Sequence, residues 1–132
     1  MPSEPTLKLI HEDSRGEMYQ ILLPTGQEIM LLHSKAGAVR GGHSHTADEM
    51  VAIVSGSLEY HKIHRNGAGT SVVYRAGSGS HNLKGVAHYG EFLEDSWLLE
   101  FKYGPNSAVG EWQNVDYEPF RKLVRGRMEA KP

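Results

Sequence analysis

No long segment of this chain carries a helical period. Instead, short β-leaning runs follow one another: Met18–Leu23, Glu28–Ser34, Glu49–Ser55, Leu58–Ile63, Thr70–Tyr74 and Ser96–Tyr103. Between them lie Pro24-Thr25-Gly26, Ser55-Gly56-Ser57, Arg65-Asn66-Gly67-Ala68-Gly69 and Ala76-Gly77-Ser78-Gly79. Short strands punctuated by Gly-rich turns predict an all-β sandwich or barrel. The Asn66-Gly67 pair fits a hairpin, because both residues tolerate positive φ at low cost. The one helical candidate is Glu118–Val124, with Pro119 in the first turn, where its missing N–H does no harm. Five basic residues lie scattered from Arg121 to Lys131 with no aromatic partners among them, which predicts a solvated tail.

With 132 residues the chain is read as one domain, residues 1–132, with a core at about 16–117 and a C-terminal extension at 118–132. The 14 Lys and Arg against 16 Asp and Glu leave no electrostatic case for nucleic acid or an anionic membrane as partner. With 0 Cys, disulfides, thiolate metal sites and a Cys nucleophile drop out together. The N-terminus lacks a basic run followed by an apolar stretch, and the longest purely apolar run is Met50–Val54, so a soluble cytoplasmic protein is expected. The unusual count is 8 His, the composition's one hint of chemistry.

Three of the candidate ligands cluster. His43, His45 and Glu49 share parity, so on one extended strand they would share a face. Two imidazoles and a carboxylate turned into one interior are expensive unless something pairs with them. A divalent Fe, Mn, Ni or Zn ion does so. Downstream, Leu83-Lys84-Gly85-Val86-Ala87-His88 offers a third imidazole.

The arrangement resembles the cupin family. Gly37, His43, His45, Glu49 and Gly56 fill every fixed position of the first cupin motif: Gly, five residues, His-x-His, three or four residues, Glu, six residues, Gly. Gly77, Gly85 and His88 fit the second motif, while Leu83 stands where Pro is usual and Phe92 where Asn is usual. The resemblance implies a small antiparallel β-barrel of jelly-roll type with at most one or two short helices. It also implies one divalent metal held by His43, His45, Glu49 and His88. Asp13-Ser14-Arg15-Gly16, with Arg40-Gly41 upstream of His43, further resembles cupins that isomerise or epimerise sugar nucleotides; as a bare sequence it is also an ordinary polar turn.

Three further side chains are candidates for catalysis. Tyr60 shares a face with Leu58 and could supply a phenol; Arg40 could grip a carboxylate or phosphate; Glu100 interrupts an apolar run either as a pocket acid or on the solvent face. His81 is placed as an outer partner of the metal site, His61 and His64 as exposed. Four protein ligands leave open positions on a six-coordinate ion, which suits proton-transfer chemistry (isomerase, epimerase or lyase) on a small polar substrate. It equally suits an Fe(II)-dependent dioxygenase, and a non-catalytic metal or ligand-binding module is the third reading. Pairing of sheet edges makes a homodimer the expected assembly.

Overall fold

The structure, a computed structural model, describes residues 3–129. The strands are β1 (Thr6–Asp13), β2 (Gly16–Leu22), β3 (Glu28–Ser34), β4 (Val39–His45), β5 (Asp48–Ser55), β6 (Ser57–Ile63), β7 (Gly69–Arg75), β8 (Gly79–Asn82), β9 (Ala87–Phe92), β10 (Ser96–Tyr103) and β11 (Asn114–Asp116). One helix, α1 (Glu118–Glu129), follows them. The strands form two sheets, in the orders β1-β2-β3-β10-β5-β8 and β11-β4-β9-β6-β7, with antiparallel neighbours throughout. This is the expected all-β barrel of jelly-roll type with one helix.

Period-two alternation dictates which side chains face the space between the sheets. In the first sheet Leu98 lies opposite Ile53, Glu100 opposite Val51, and Lys102 opposite Glu49. In the second, Leu58 lies opposite Phe92, Tyr60 opposite Gly90, and Lys62 opposite His88. Read along the barrel, each series runs from apolar to polar. One end is therefore filled by the cluster of Leu32, Ala38, Val51, Ile53, Leu58, Tyr60, Phe92 and Leu98. Burying each large aliphatic or aromatic member contributes about 1.5–3 kcal/mol. The other end collects the histidines.

Two expectations need correction. The segment from Arg121 is not a solvated tail: through Glu129 it is helix packed on β4, with Val124 fully enclosed and Arg121 Nη1 donating to the Gly41 carbonyl at 2.8 Å. Phe120, Val124 and Met128 recur every four residues and mark that face in the sequence, though scattered basic residues surround them; Lys131 lies outside the described residues. The Asn66-Gly67 turn does join β6 and β7 as a hairpin: Gly67 takes positive φ, at 86°, and Asn66 Oδ1 accepts a bond from the Ala68 N–H. Finally, His43, His45 and Glu49 do not share one strand. Thr46 and Ala47 break it, and Glu49 reaches the interior from the opposite sheet. Among the described residues no helix is long and apolar enough to cross a membrane.

Candidate metal centre

A β-bulge aims the site. In the β4–β9 ladder Gly41 pairs with Tyr89 and His43 with His88, leaving Gly42 as an extra residue. Alternation alone would send Arg40 and His43 to opposite faces. The bulge resets the phase, so both line the same internal cavity. Glycine is required at both bulge positions. Gly41 and Gly42 have φ of 110° and 99°, and a Cβ on Gly41 would lie 2.8 Å from the His88 carbonyl oxygen. A Cβ on Gly42 would press to 3.1 Å on the Arg121 backbone, so this glycine also lets α1 seat against β4.

His43, His45 and His88 each offer a ring nitrogen, and the three atoms lie within 4.8 Å of one another. A shared ion with metal–nitrogen bonds of about 2 Å suits such a cluster. Two of the rings are held from behind. The His45 Nδ1 bonds the Asn114 side-chain oxygen at 2.7 Å, and the His88 Nδ1 donates to the Val86 carbonyl at 3.2 Å. Each bond turns Nε2 inward and leaves it the free donor. Glu49, 2 % exposed, completes the group: its Oε2 is 3.3 Å from His45 Nε2 and its Oε1 3.7 Å from His88 Nε2. Three imidazoles and a carboxylate are a donor set that fits a divalent transition ion.

The carboxylate has fixed neighbours. Cross-strand register puts Lys102 of β10 on one side of Glu49 and Asn82 of β8 on the other. Lys102 Nζ donates to Glu49 Oε2 at 2.8 Å, and Asn82 Nδ2 donates to Oε1 at 2.9 Å and to the Tyr60 hydroxyl oxygen at 3.0 Å. The Lys102 ammonium also lies 3.8 Å from the centre of the Trp112 ring, whose edge meets His45.

Burial sets the electrostatics. Desolvation, reinforced by the neighbouring imidazoles, lowers His43 to about 3. Desolvation also lowers His88 to about 4, with Glu49 opposing. Both are therefore neutral near pH 7, the form in which an imidazole can bind a metal. Burial alone would raise Glu49, but the His45 hydrogen bond and the Lys102 ammonium outweigh it and hold the carboxyl well below its usual range. Burial, then repulsion from Glu49, raises Glu100 to about 7. Burial keeps the Tyr60 phenol well above its usual value.

The structure brings Arg40, Tyr60 and Glu100 together with His43 and His88 around a cavity of about 80 Å³. Glu100 thus faces the pocket and not the solvent. Arg40 is 7 % exposed; its Nε donates to Ser34 Oγ at 2.6 Å, while its Nη1 is buried without a partner among the described residues. Other expectations shift. His81 faces outward and bonds the Tyr103 hydroxyl, and the side chain behind Glu49 is its neighbour Asn82. His61 and His64 are half-buried, His61 stacked on Tyr89. Asp13 and Arg15 form an ion pair at 2.7 Å at the β1–β2 turn, with Arg15 Nη1 reaching the Val39 carbonyl; they stand apart from the cavity, as an ordinary polar turn does. Leu83 in place of Pro leaves the turn intact, since Val86 N–H bonds the Leu83 carbonyl and Gly85 supplies φ of 83°. Phe92, in place of Asn, lines the cavity and joins the core. Sequence reasoning missed Lys102, Asn82, Asn114 and Trp112.

No protein-family model matches the sequence, and no curated protein does. Solved structures do. A variant of Bacillus subtilis oxalate decarboxylase aligns at 22% identity over 80% of this chain and 30% of its own, with a TM-score of 0.64. The capsular polysaccharide assembling protein CapF from Staphylococcus aureus aligns at 23% identity over 84% of this chain and 32% of its own, with a TM-score of 0.61. A second oxalate decarboxylase variant covers 98% of this chain at 18% identity and a TM-score of 0.68. Both kinds of neighbour are cupins. The protein has the cupin fold. It spans about a third of the length of these neighbours, between 30% and 36%. The cupin barrel places its histidine cluster between the two sheets.

Proposed function

We propose that this cupin is a metal-dependent enzyme that moves a proton on a small carboxylated substrate, as an isomerase, epimerase or lyase. His43, His45, Glu49 and His88 would hold one divalent ion of the Fe, Mn, Ni or Zn group. One observation carries the reading: Arg40 lines the cavity that His43 and His88 share with Glu100, and its buried Nη1 has no hydrogen-bond partner among the described residues. A buried guanidinium donor without an acceptor is costly unless a ligand supplies one. A carboxylate meets that geometry. Although burial, then Arg15, lowers Arg40 to about 10, it remains cationic at neutral pH.

The bound ion would supply Lewis acidity toward a substrate oxygen. Arg40 then fixes the substrate carboxylate. Glu100, poised near neutrality, takes a proton from the adjacent carbon and returns it. Tyr60 keeps its proton and can donate a hydrogen bond into the cavity. Leu32, Leu58, Phe92 and Leu98 wall the space against water, and its size admits only a small molecule. That the neighbours include oxalate decarboxylases, which by their name act on a small carboxylate, is in keeping with this. The bare edge strand β1, with Leu7, Leu9 and Ile10 exposed, supports pairing of two copies.

The test has two parts. His43→Ala, His45→Ala and His88→Ala should each lower metal affinity by at least about 10- to 100-fold, the range seen when even supporting groups are lost. Stoichiometric metal in all three variants would remove the site. With Mn²⁺- or Co²⁺-loaded protein in D₂O, a panel of small carboxylates should show deuterium entering at carbon, and Glu100→Gln should abolish it. Oxygen uptake without exchange would overturn the proton-transfer reading in favour of a dioxygenase.

A further inference from the structure

Lys102 is an unexplained cation beside the histidine cluster, paired with Glu49. It is 7 % exposed, on a strand whose inward positions are otherwise Ser96, Leu98 and Glu100. Lysine is almost never enclosed this way unless paired. Its ammonium is fixed from two sides, by Glu49 Oε2 at 2.8 Å and by the Trp112 ring face at 3.8 Å. A buried ion pair gives a fold little that apolar side chains of similar volume would not. The partner here is the one carboxylate of the proposed metal set. Without Lys102, Glu49 in the metal-free barrel would keep Asn82 on Oε1 at 2.9 Å and His45 Nε2 at 3.3 Å from Oε2, but would lose the ammonium that lies 2.8 Å from its enclosed carboxylate.

We propose that Lys102 is an internal counter-cation that holds Glu49 when no ion is bound and shares it with the ion when one is. The inference rests on the metal reading above. It assigns Lys102 a positioning role with a definite sign. The lysine keeps the empty site assembled, and it weakens affinity for a divalent ion by repelling it and by withholding part of the Glu49 charge. Trp112 confines the ammonium to the Glu49 side, so Lys102 and an ion share the carboxylate from fixed directions.

The experiment is Co²⁺ titration by calorimetry, with thermal melts of metal-free and loaded protein, on wild type, Lys102→Met, Lys102→Arg and His88→Ala. Lys102→Met keeps the volume and removes the charge. It should melt lower than wild type without metal, yet bind Co²⁺ on the order of tenfold more tightly, as loss of a like charge a few ångströms away requires. Lys102→Arg, still cationic, should stay within a few-fold of wild type. A structural lysine predicts the opposite sign: weaker folding and weaker binding together. Should Lys102→Met be unfolded alone, folding on addition of Co²⁺ supports the proposal, and failure to fold with saturating Co²⁺ overturns it. Equal or weaker Co²⁺ binding by folded Lys102→Met removes the Lys102 assignment alone. If neither wild type nor Lys102→Met binds Co²⁺, or His88→Ala binds as wild type does, the metal reading falls as well.

Discussion

Arg40 lines the cavity from inside the barrel, where Ser34 takes one donor and the buried Nη1 has no partner among the described residues. Arg40→Gln should therefore weaken a small carboxylate by about 10- to 100-fold, the equivalent of one charged hydrogen bond of about 1.5–3 kcal/mol. An uncharged analogue of the same shape should be unaffected. Lys at this position should recover only part of the loss, since an ammonium lacks the planar fork. Ligand-induced thermal shifts measure all three, and equal losses for charged and uncharged ligands would reduce Arg40 to a packing residue. The histidines were legible in the sequence because His-x-His and Glu49 fall within one short stretch. Lys102, Asn82 and Asn114 were not. Each meets its partner only through cross-strand register, with Lys102 and Asn82 flanking Glu49 and Asn114 opposite His45. Nothing local in the chain encodes those rungs.

At the level of elements, the connection from β5 to β6 turns on one glycine. Gly56 has φ of 86°, and a Cβ there would lie 2.6 Å from the Asp95 carbonyl oxygen and 2.1 Å from Ser96 Oγ. Ser96 in turn receives the Ser57 N–H, so a displaced Ser96 disturbs the start of β6. Gly56→Ala should destabilise by about 2 kcal/mol or more, combining backbone strain with overlap. For a domain of this size that corresponds to roughly 6–10 °C in Tm. An unchanged Tm would mean that the connection has room the structure does not show. The strand count was readable in part: the runs named from composition became β2, β3, β5, β6, β7 and β10. β4 and β9 were hidden because Gly41, Gly42 and Gly90 dilute their apolar pattern. Those glycines are what open the bulge and the space beside Tyr60.

For the molecule as a whole, the two sheets are held face to face by the apolar cluster that both contribute to, so no ion is needed to join them. Chelator-treated protein should keep its β-sheet circular dichroism at room temperature, and loss of that spectrum would make the metal structural. Its stability should also depend on pH with a definite sign. The folded values of about 3 for His43 and about 4 for His88 lie below the ordinary 6.5. Between those limits the unfolded chain binds more protons, so the histidine contribution is complete above pH 6.5 and is lost in acid. Glu100, raised from 4.5 to about 7, runs the other way: its contribution is complete below pH 4.5 and fades toward pH 7. Two imidazoles outweigh one carboxyl, so the metal-free barrel should gain on the order of 1 kcal/mol per pH unit from pH 4.5 to 6.5. Melts at pH 5 and pH 6.5 read this directly, and a higher Tm at pH 5 would contradict the burial of the two rings.

The seating of Trp112 has an optical consequence. The chain has 2 Trp. Trp97 stacks on His33 on the sheet of β2, β3 and β10, away from the cavity lining. Trp112 carries the Lys102 ammonium on its face and meets the His45 ring with an edge-to-face contact. In a Trp97→Phe background the remaining indole becomes a fluorophore built into the wall of the centre. Its emission would quench as a paramagnetic ion arrives and recover as a chelator removes it, giving occupancy in real time without any label.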